Sequence, residues 1–180
     1  MLRFLLLVAL AAVPVSARTA PATSPFFEAF KAICLNNRAD LSRATDVART
    51  RGFGHMRAAV PAGMKSWTPM TGLIDDKPWL VALGTGDNSG QAFHACSVSG
   101  VESGIVGAEA LARWVDLPGR SPSGQTTAWA FEENGGKRTA LDLNDEARLK
   151  AALDAGGYFR LSIEMKGDTP KATLIRISWL

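Results

Sequence analysis

The sequence predicts an α+β fold, in which helices cover one face of an antiparallel sheet of about five to seven strands. Three observations point to this class. Near the end of the chain, apolar residues alternate with polar ones, so that Phe159, Leu161 and Ile163 share one side of a strand. Short turns join successive strand patterns, which requires antiparallel pairing. The helical patterns carry apolar stripes that need a surface to cover them.

The first 17 residues have the three parts of a signal peptide. Arg3 supplies the positive charge, residues 4–13 form an apolar run too short to span a bilayer, and Ala17 is the expected cleavage site. We expect residues 18–23 to be a flexible leader and residues 24–180 to be a single domain. The expected location is periplasmic or secreted, with no stable membrane span after cleavage. A retained membrane anchor is the alternative.

Two helices are expected at the start of the domain. Ser24 and Pro25 form the start of the first, which carries Cys34 on its apolar stripe and ends at Asn36-Asn37. Asp40 is the expected cap of the second, which stops at Gly52.

Three strands should follow, joined by turns rich in Gly, Asp, Asn and Pro. Their expected bounds are Trp67–Ile74, Trp79–Leu83 and Gln91–Gly100. The segment GTGDNSG at 84–90 is typical of a hairpin turn, because it lacks the lysine and the helix start of a phosphate-binding loop.

The rest of the chain alternates helices with pairs of strands. A helix from Ser103 or Gly104 to Val115 precedes a loop, and Asn144 is the expected cap of a helix that stops at Gly156-Gly157. Asn134-Gly135 predicts a hairpin between two strands. The expected strands are Thr126–Glu132, Lys137–Leu143, Tyr158–Lys166 and Lys171–Leu180.

The chain has two cysteines, Cys34 in the first helix and Cys96 in the third strand. In an exported protein they are expected to pair, and only one intramolecular connectivity exists. The bond would tether the N-terminal helical pair to the sheet and contribute about 4 kcal/mol in the chain-entropy model. Two free thiols are the alternative.

The charge balance gives little reason to expect nucleic acid as a partner. The chain has 20 basic and 17 acidic residues, and removal of Arg3 with the signal peptide leaves 19 against 17, a net charge of +2. This narrow imbalance is not a polybasic signature.

The sequence lacks the common catalytic and metal-binding motifs. It contains no G-x-S-x-G, S-x-x-K, H-E-x-x-H or C-x-x-C pattern. His94 and Cys96 share a strand face, so a Cys–His nucleophile pair is conceivable, but a disulfide would remove the thiolate. With only two histidines and both cysteines paired, we expect neither a metal site nor a cofactor.

Aromatic residues on the strands have two possible uses. Trp79 and Trp129 could pack in the core or line a ligand groove, and with His94 they are the candidate ligand-facing residues. Either use fits the residue type.

The segment Phe27–Phe53, the strand with Cys96-Ser97-Val98 and the helix containing Trp114 together resemble a group of short exported bacterial proteins of unknown function. In that group a cysteine lies in the first helix, and here it is Cys34. The group usually has tryptophan at the position of Phe53. The resemblance implies a module with paired cysteines on the envelope side of the cell and supplies no activity.

We therefore expect an exported, non-catalytic module that binds a protein or small-molecule partner in the cell envelope. The alternative is a small hydrolase whose site is assembled from dispersed residues such as His94, Glu132 and Asp76.

Overall fold

The computed structural model describes residues 24–101, 104–167 and 169–180 of the 180-residue chain. The predicted signal peptide, residues 1–17, and the predicted leader, residues 18–23, lie outside the described residues. The described part forms one antiparallel sheet of nine strands with four α-helices. The α+β class is therefore confirmed, with more strands than the five to seven predicted.

The strands of the sheet lie in the order β1-β2-β3-β4-β9-β8-β6-β5, and β7 also pairs with β6. Their bounds are β1 Gly54–His55, β2 Met64–Ile74, β3 Lys77–Asn88, β4 Gln91–Gly100, β5 Arg120–Ser123, β6 Thr126–Asn134, β7 Lys137–Ala140, β8 Tyr158–Lys166 and β9 Thr169–Trp179. The short strands β1 and β5 fall in segments predicted as loops. Two to four residues are too few for an alternating pattern to be visible.

Several two-residue turns connect neighbouring strands and fix their register, and three of those among the described residues share one geometry. Asp75-Asp76 joins β2 to β3, Ser89-Gly90 joins β3 to β4, and Gly135-Gly136 joins β6 to β7, with positive φ at both residues of each turn. This geometry suits the right-handed twist of the flanking strands. Most of the predicted GTGDNSG turn is therefore strand, because β3 continues to Asn88.

The four helices are α1 Pro25–Phe30, α2 Leu41–Thr50, α3 Gly104–Val115 and α4 Glu146–Asp154, and a π-helical segment, Lys31–Leu35, continues α1. The Ser24 hydroxyl accepts the N–H of Phe27 at 3.0 Å and caps α1 as predicted.

The caps of α2 and α4 are both aspartates. Asp40 caps α2 by accepting the N–H of Arg43 at 3.0 Å, as predicted. The cap of α4 is Asp145, which accepts the N–H of Arg148 at 3.0 Å, so the prediction of Asn144 was wrong by one residue.

The main core lies between one face of the sheet, here called the first face, and the layer formed by α1, the π-helical segment, α2 and α3. The first face carries Val81, Cys96, Leu161 and Leu174, which are all buried. The helices contribute a second set of buried residues, which includes Phe26, Phe30, Ile33, Ala44, Ala48, Leu111 and Val115. Burial of these side chains is the main source of stability.

A disulfide crosses this core. The sulfurs of Cys34 and Cys96 are 2.00 Å apart and their Cα atoms 5.5 Å apart, and both residues are fully buried. The bond joins the π-helical segment to β4, the fourth strand in the sheet order. The predicted tether between the N-terminal helices and the sheet is therefore confirmed.

A smaller core covers part of the opposite face, here called the second face. Leu153 of α4 packs with Tyr158 and Ile177, whereas Leu174, three residues before Ile177 on β9, belongs to the main core. Since successive strand residues point to opposite faces, α4 lies on the second face. The expectation that all helices share one face therefore fails for α4, because β9 is apolar on both sides.

Candidate functional site

A cleft of about 620 Å³ opens on the second face, beside the part covered by α4. Its floor consists of residues on three neighbouring strands. Ala128 lies opposite Ser162, and Arg160 lies between Ala130 and Ile175. Because Ala128, Ala130 and Ser162 have short side chains, the surface is depressed at this point.

Two segments form the walls of the cleft. One runs from Pro118 into β5 as far as Pro122, and the other runs from Ala140, the last residue of β7, to Leu143. The backbone N–H of Leu141 donates to Ala130 at 2.8 Å, and the indole N–H of Trp129 donates to the carbonyl of Leu117 at 3.1 Å. These bonds attach both walls to β6.

An ion pair joins the two walls. The Arg120 guanidinium donates to the Asp142 carboxylate at 3.0 Å, and both side chains are more than half exposed. The backbone N–H of Asn144 and the Arg120 guanidinium hold the pKa of Asp142 below its ordinary value, because both stabilise the carboxylate. The pair therefore persists at neutral pH, although exposure to solvent makes its contribution small.

Arg160 is the second cation of the cleft, and it is exposed on the floor. Among the described residues it has no salt bridge and no side-chain hydrogen bond. Two carboxylates on this face are occupied, because Asp142 pairs with Arg120 and Glu132 pairs with Arg148 of α4. Within the described part of the chain, the guanidinium of Arg160 is thus left to solvent.

The structure places the three candidate ligand-facing residues in different environments. Trp129 borders the cleft, although its side chain packs in the main core. Trp79 is 3% exposed and stacks on Phe26, with ring centroids 5.9 Å apart. His94 is exposed and does not line the cleft. A ligand-facing role for these residues stays a prediction, with Trp129 nearest to a cavity.

The three residues of the alternative hydrolase site are not brought together. Glu132 bonds to Arg148 of α4, on the second face, whereas His94 shares the first face with Cys96. Three strand spacings separate β4 from β6, roughly 14 Å. Asp76 lies nine residues before Thr85, the strand partner of His94, which is roughly 30 Å along the strand.

The described residues contain no group of three or more His, Cys, Asp or Glu side chains placed to hold a metal ion. None of the helices that the structure describes combines the length and the apolar character needed to cross a membrane.

Four residues of the cleft were not predicted from the sequence as site residues. They are Arg160, Ser162, Arg120 and Asp142. Arg160 and Ser162 occupy the polar positions of β8, a pattern that is typical of a face in contact with solvent. The sequence does contain a signal for the cleft in β6. Ala128 and Ala130 have small side chains, which cannot fill the space above the sheet. Their significance depends on the walls, and sequence patterns do not place those walls.

Comparisons with protein-family models, with curated proteins and with solved structures give no match to this chain.

Proposed function

We propose that this protein is an exported, non-catalytic binding module whose small-molecule ligand occupies the cleft on the second face of the sheet. The observation that carries the proposal is the cleft of about 620 Å³, bounded by apolar side chains and a few polar ones. Its volume lies within the range of about 300–1,000 Å³ that is usual for small-ligand sites.

The construction of the cleft supports binding to a pre-formed site. Its floor belongs to β6, β8 and β9, which pair over most of their lengths. The apolar walls include Pro118, Pro122, Leu141 and Leu143. Proline and strand-anchored segments lose little conformational freedom when a ligand binds, which lowers the entropic cost of association.

The polar groups of the cleft favour binding over hydrolysis. Ser162 supplies the hydroxyl group among the lining residues, and the lining contains no histidine that could act as its base. The carboxylate of Asp142 is bonded to Arg120 and to the backbone N–H of Asn144. The dispersed set of His94, Glu132 and Asp76 would need large rearrangements to meet one substrate.

Export to the periplasm or the outside of the cell is part of the proposal. The Cys34–Cys96 bond supports it, because paired thiols persist mainly in oxidising compartments. The resemblance to short exported bacterial proteins with paired cysteines points to the same location.

Fluorescence titration with N-phenyl-1-naphthylamine, a neutral apolar dye, tests the proposal. The dye should bind the folded protein with one site, and Ser162→Phe should abolish binding because a phenyl ring fills the cleft floor. Ser99→Phe is the matched control, since Ser99 lies on the second face of β4 and does not line the cleft. Circular dichroism would verify that both variants fold. Equal binding by both variants, or no binding to the wild type, would contradict the proposal.

A further inference from the structure

We infer that the cleft selects ligands that combine one carboxylate with an apolar body, and that the guanidinium of Arg160 binds the carboxylate. This inference rests on the proposed function, because it names the class of ligand for the same cleft. It is carried by the charge balance of the cleft and by the position of Arg160 relative to the apolar surfaces.

The ionised side chains lining the cleft leave one positive charge uncompensated. They are Arg120, Asp142 and Arg160, and the first two neutralise each other through their bond at 3.0 Å. A guanidinium stays charged in proteins, so the lining carries a net charge of +1. A ligand with one negative charge balances it, whereas a dianion would bring an excess charge into an apolar site.

Among the described residues, no carboxylate forms a salt bridge with Arg160. Glu132 is bonded to Arg148, and Asp142 is bonded to Arg120. Glu164 lies four residues along β8 on the same face, roughly 13 Å away. The planar fork of a guanidinium matches the two oxygens of a carboxylate, which gives a pair of parallel hydrogen bonds.

The surroundings of Arg160 explain why the ligand must also have an apolar part. Its strand neighbours on the floor are Ala130 and Ile175, and Leu141 and Leu143 stand in the wall beside them. A carboxylate at Arg160 therefore places its substituent against aliphatic surface. Removal of that surface from water adds affinity in proportion to the area covered.

Competition against N-phenyl-1-naphthylamine, with octanoate and 1-octanol as probes, tests the inference. The two probes share the eight-carbon chain and differ in the charged group. In the wild type, we expect the apparent affinity of octanoate in this competition to be at least ~tenfold higher than that of 1-octanol, because hydrogen bonds to charged groups add to apolar burial. Octylamine, which carries the opposite charge, should bind more weakly than the alcohol.

Two arginine substitutions separate a specific contact from a general charge effect. Arg160→Gln should remove most of the preference for octanoate over 1-octanol, with the affinities for both probes and for the dye measured in the same variant. Arg176→Gln removes the same charge from an exposed position on the adjacent strand β9, on the opposite face of the sheet, and should leave the preference intact. Arg160→Lys should retain part of the preference, since lysine keeps the charge but lacks the planar fork.

The outcomes distinguish failure of the inference from failure of the proposed function. Dye binding that is blocked by Ser162→Phe, together with equal affinities for octanoate and 1-octanol, would overturn the inference and leave the binding module standing. Equal loss of octanoate affinity in the Arg160 and Arg176 variants would also overturn it. If neither the dye nor either probe binds the wild type, the proposed function itself fails.

Discussion

Cys34 and Cys96 are bonded in the interior of the protein, at the point where the helical layer meets the middle of the sheet. Both residues are fully buried, and 62 positions separate them in sequence. The bond therefore closes a long loop that contains α2, β1, β2 and β3. In the unfolded chain the same link restricts the positions that these segments can reach.

Reduction of this disulfide should lower the free energy of unfolding by about 4 kcal/mol, the value expected for a loop of this length. The measurement is urea unfolding of the wild type with and without a reducing agent. The control is the double variant Cys34→Ala/Cys96→Ala, whose stability should not respond to the reducing agent. Two free thiols per folded, oxidised chain in a thiol titration would contradict the bond.

Gly100→Ala should destabilise the protein by about 1–3 kcal/mol through overpacking. The indole of Trp79 lies against Gly100, and an added Cβ would come within 2.2 Å of a ring atom. Trp79 is itself buried against Phe26, so the ring has little room to move. Thermal and urea unfolding would measure the change.

Gly54→Ala is the matched control for that substitution. Gly54 also lies in a strand, has no heavy atom within 4 Å of an added Cβ, and does not have a positive φ. Its replacement should leave stability unchanged or raise it slightly, because alanine restricts the unfolded chain. Equal effects at the two positions would show that Trp79 does not confine Gly100.

Much of the fold was predictable because strong local signals agree with the tertiary structure. The alternation in β8 and the capping residues Ser24 and Asp40 gave correct elements. The position of α4 was not predictable in the same way. It depends on which side of β9 the helix packs, and β9 offers apolar residues on both sides, Leu174 and Ile175.

The candidate site was harder to predict than the fold. Arg160 and Ser162 look like solvent-facing residues of an alternating strand, and only the walls around them create a cleft. One of those walls contains β5, which is too short to give a sequence pattern. Trp79 is the opposite case, a candidate ligand-facing residue that lies in the core. Tryptophan is common both in ligand grooves and in cores, so the residue type alone does not distinguish the two.

Arg148→Met should destabilise the protein by about 1–3 kcal/mol, because it leaves the carboxylate of Glu132 without its cation. Glu132 is 8% exposed, and Arg148 of α4 is its salt-bridge partner. The double variant Glu132→Gln/Arg148→Met should be more stable than Arg148→Met alone, since a neutral amide costs less to bury than an unpaired charge. Urea unfolding of the wild type, the two single variants and the double variant gives the double-mutant cycle.

Arg113→Met provides the comparison for this pair. Arg113 pairs with Glu109 on the surface of α3, and both side chains are at least 60% exposed. Its loss should change the free energy of unfolding by less than about 0.5 kcal/mol. If Arg148→Met has an equally small effect, the ion pair does not fasten α4 to the second face.

The carboxylate of Asp154 should titrate below the ordinary aspartate pKa of 3.8. The Lys150 ammonium and then the indole N–H of Trp179 lower its pKa, because both donate hydrogen bonds to the ionised form, at 2.8 Å and 2.9 Å. A lowered pKa in the folded state stabilises the fold above the ordinary value, and this contribution is lost as the pH falls through the lowered pKa. The indole N–H resonance of Trp179, followed by NMR against pH, should therefore shift with a midpoint below 3.8.

Asp154→Asn should remove the transition, and high salt should move the midpoint upward because it screens Lys150. A midpoint at or above the ordinary value would show that Asp154 does not hold the end of β9 to α4 through its charge.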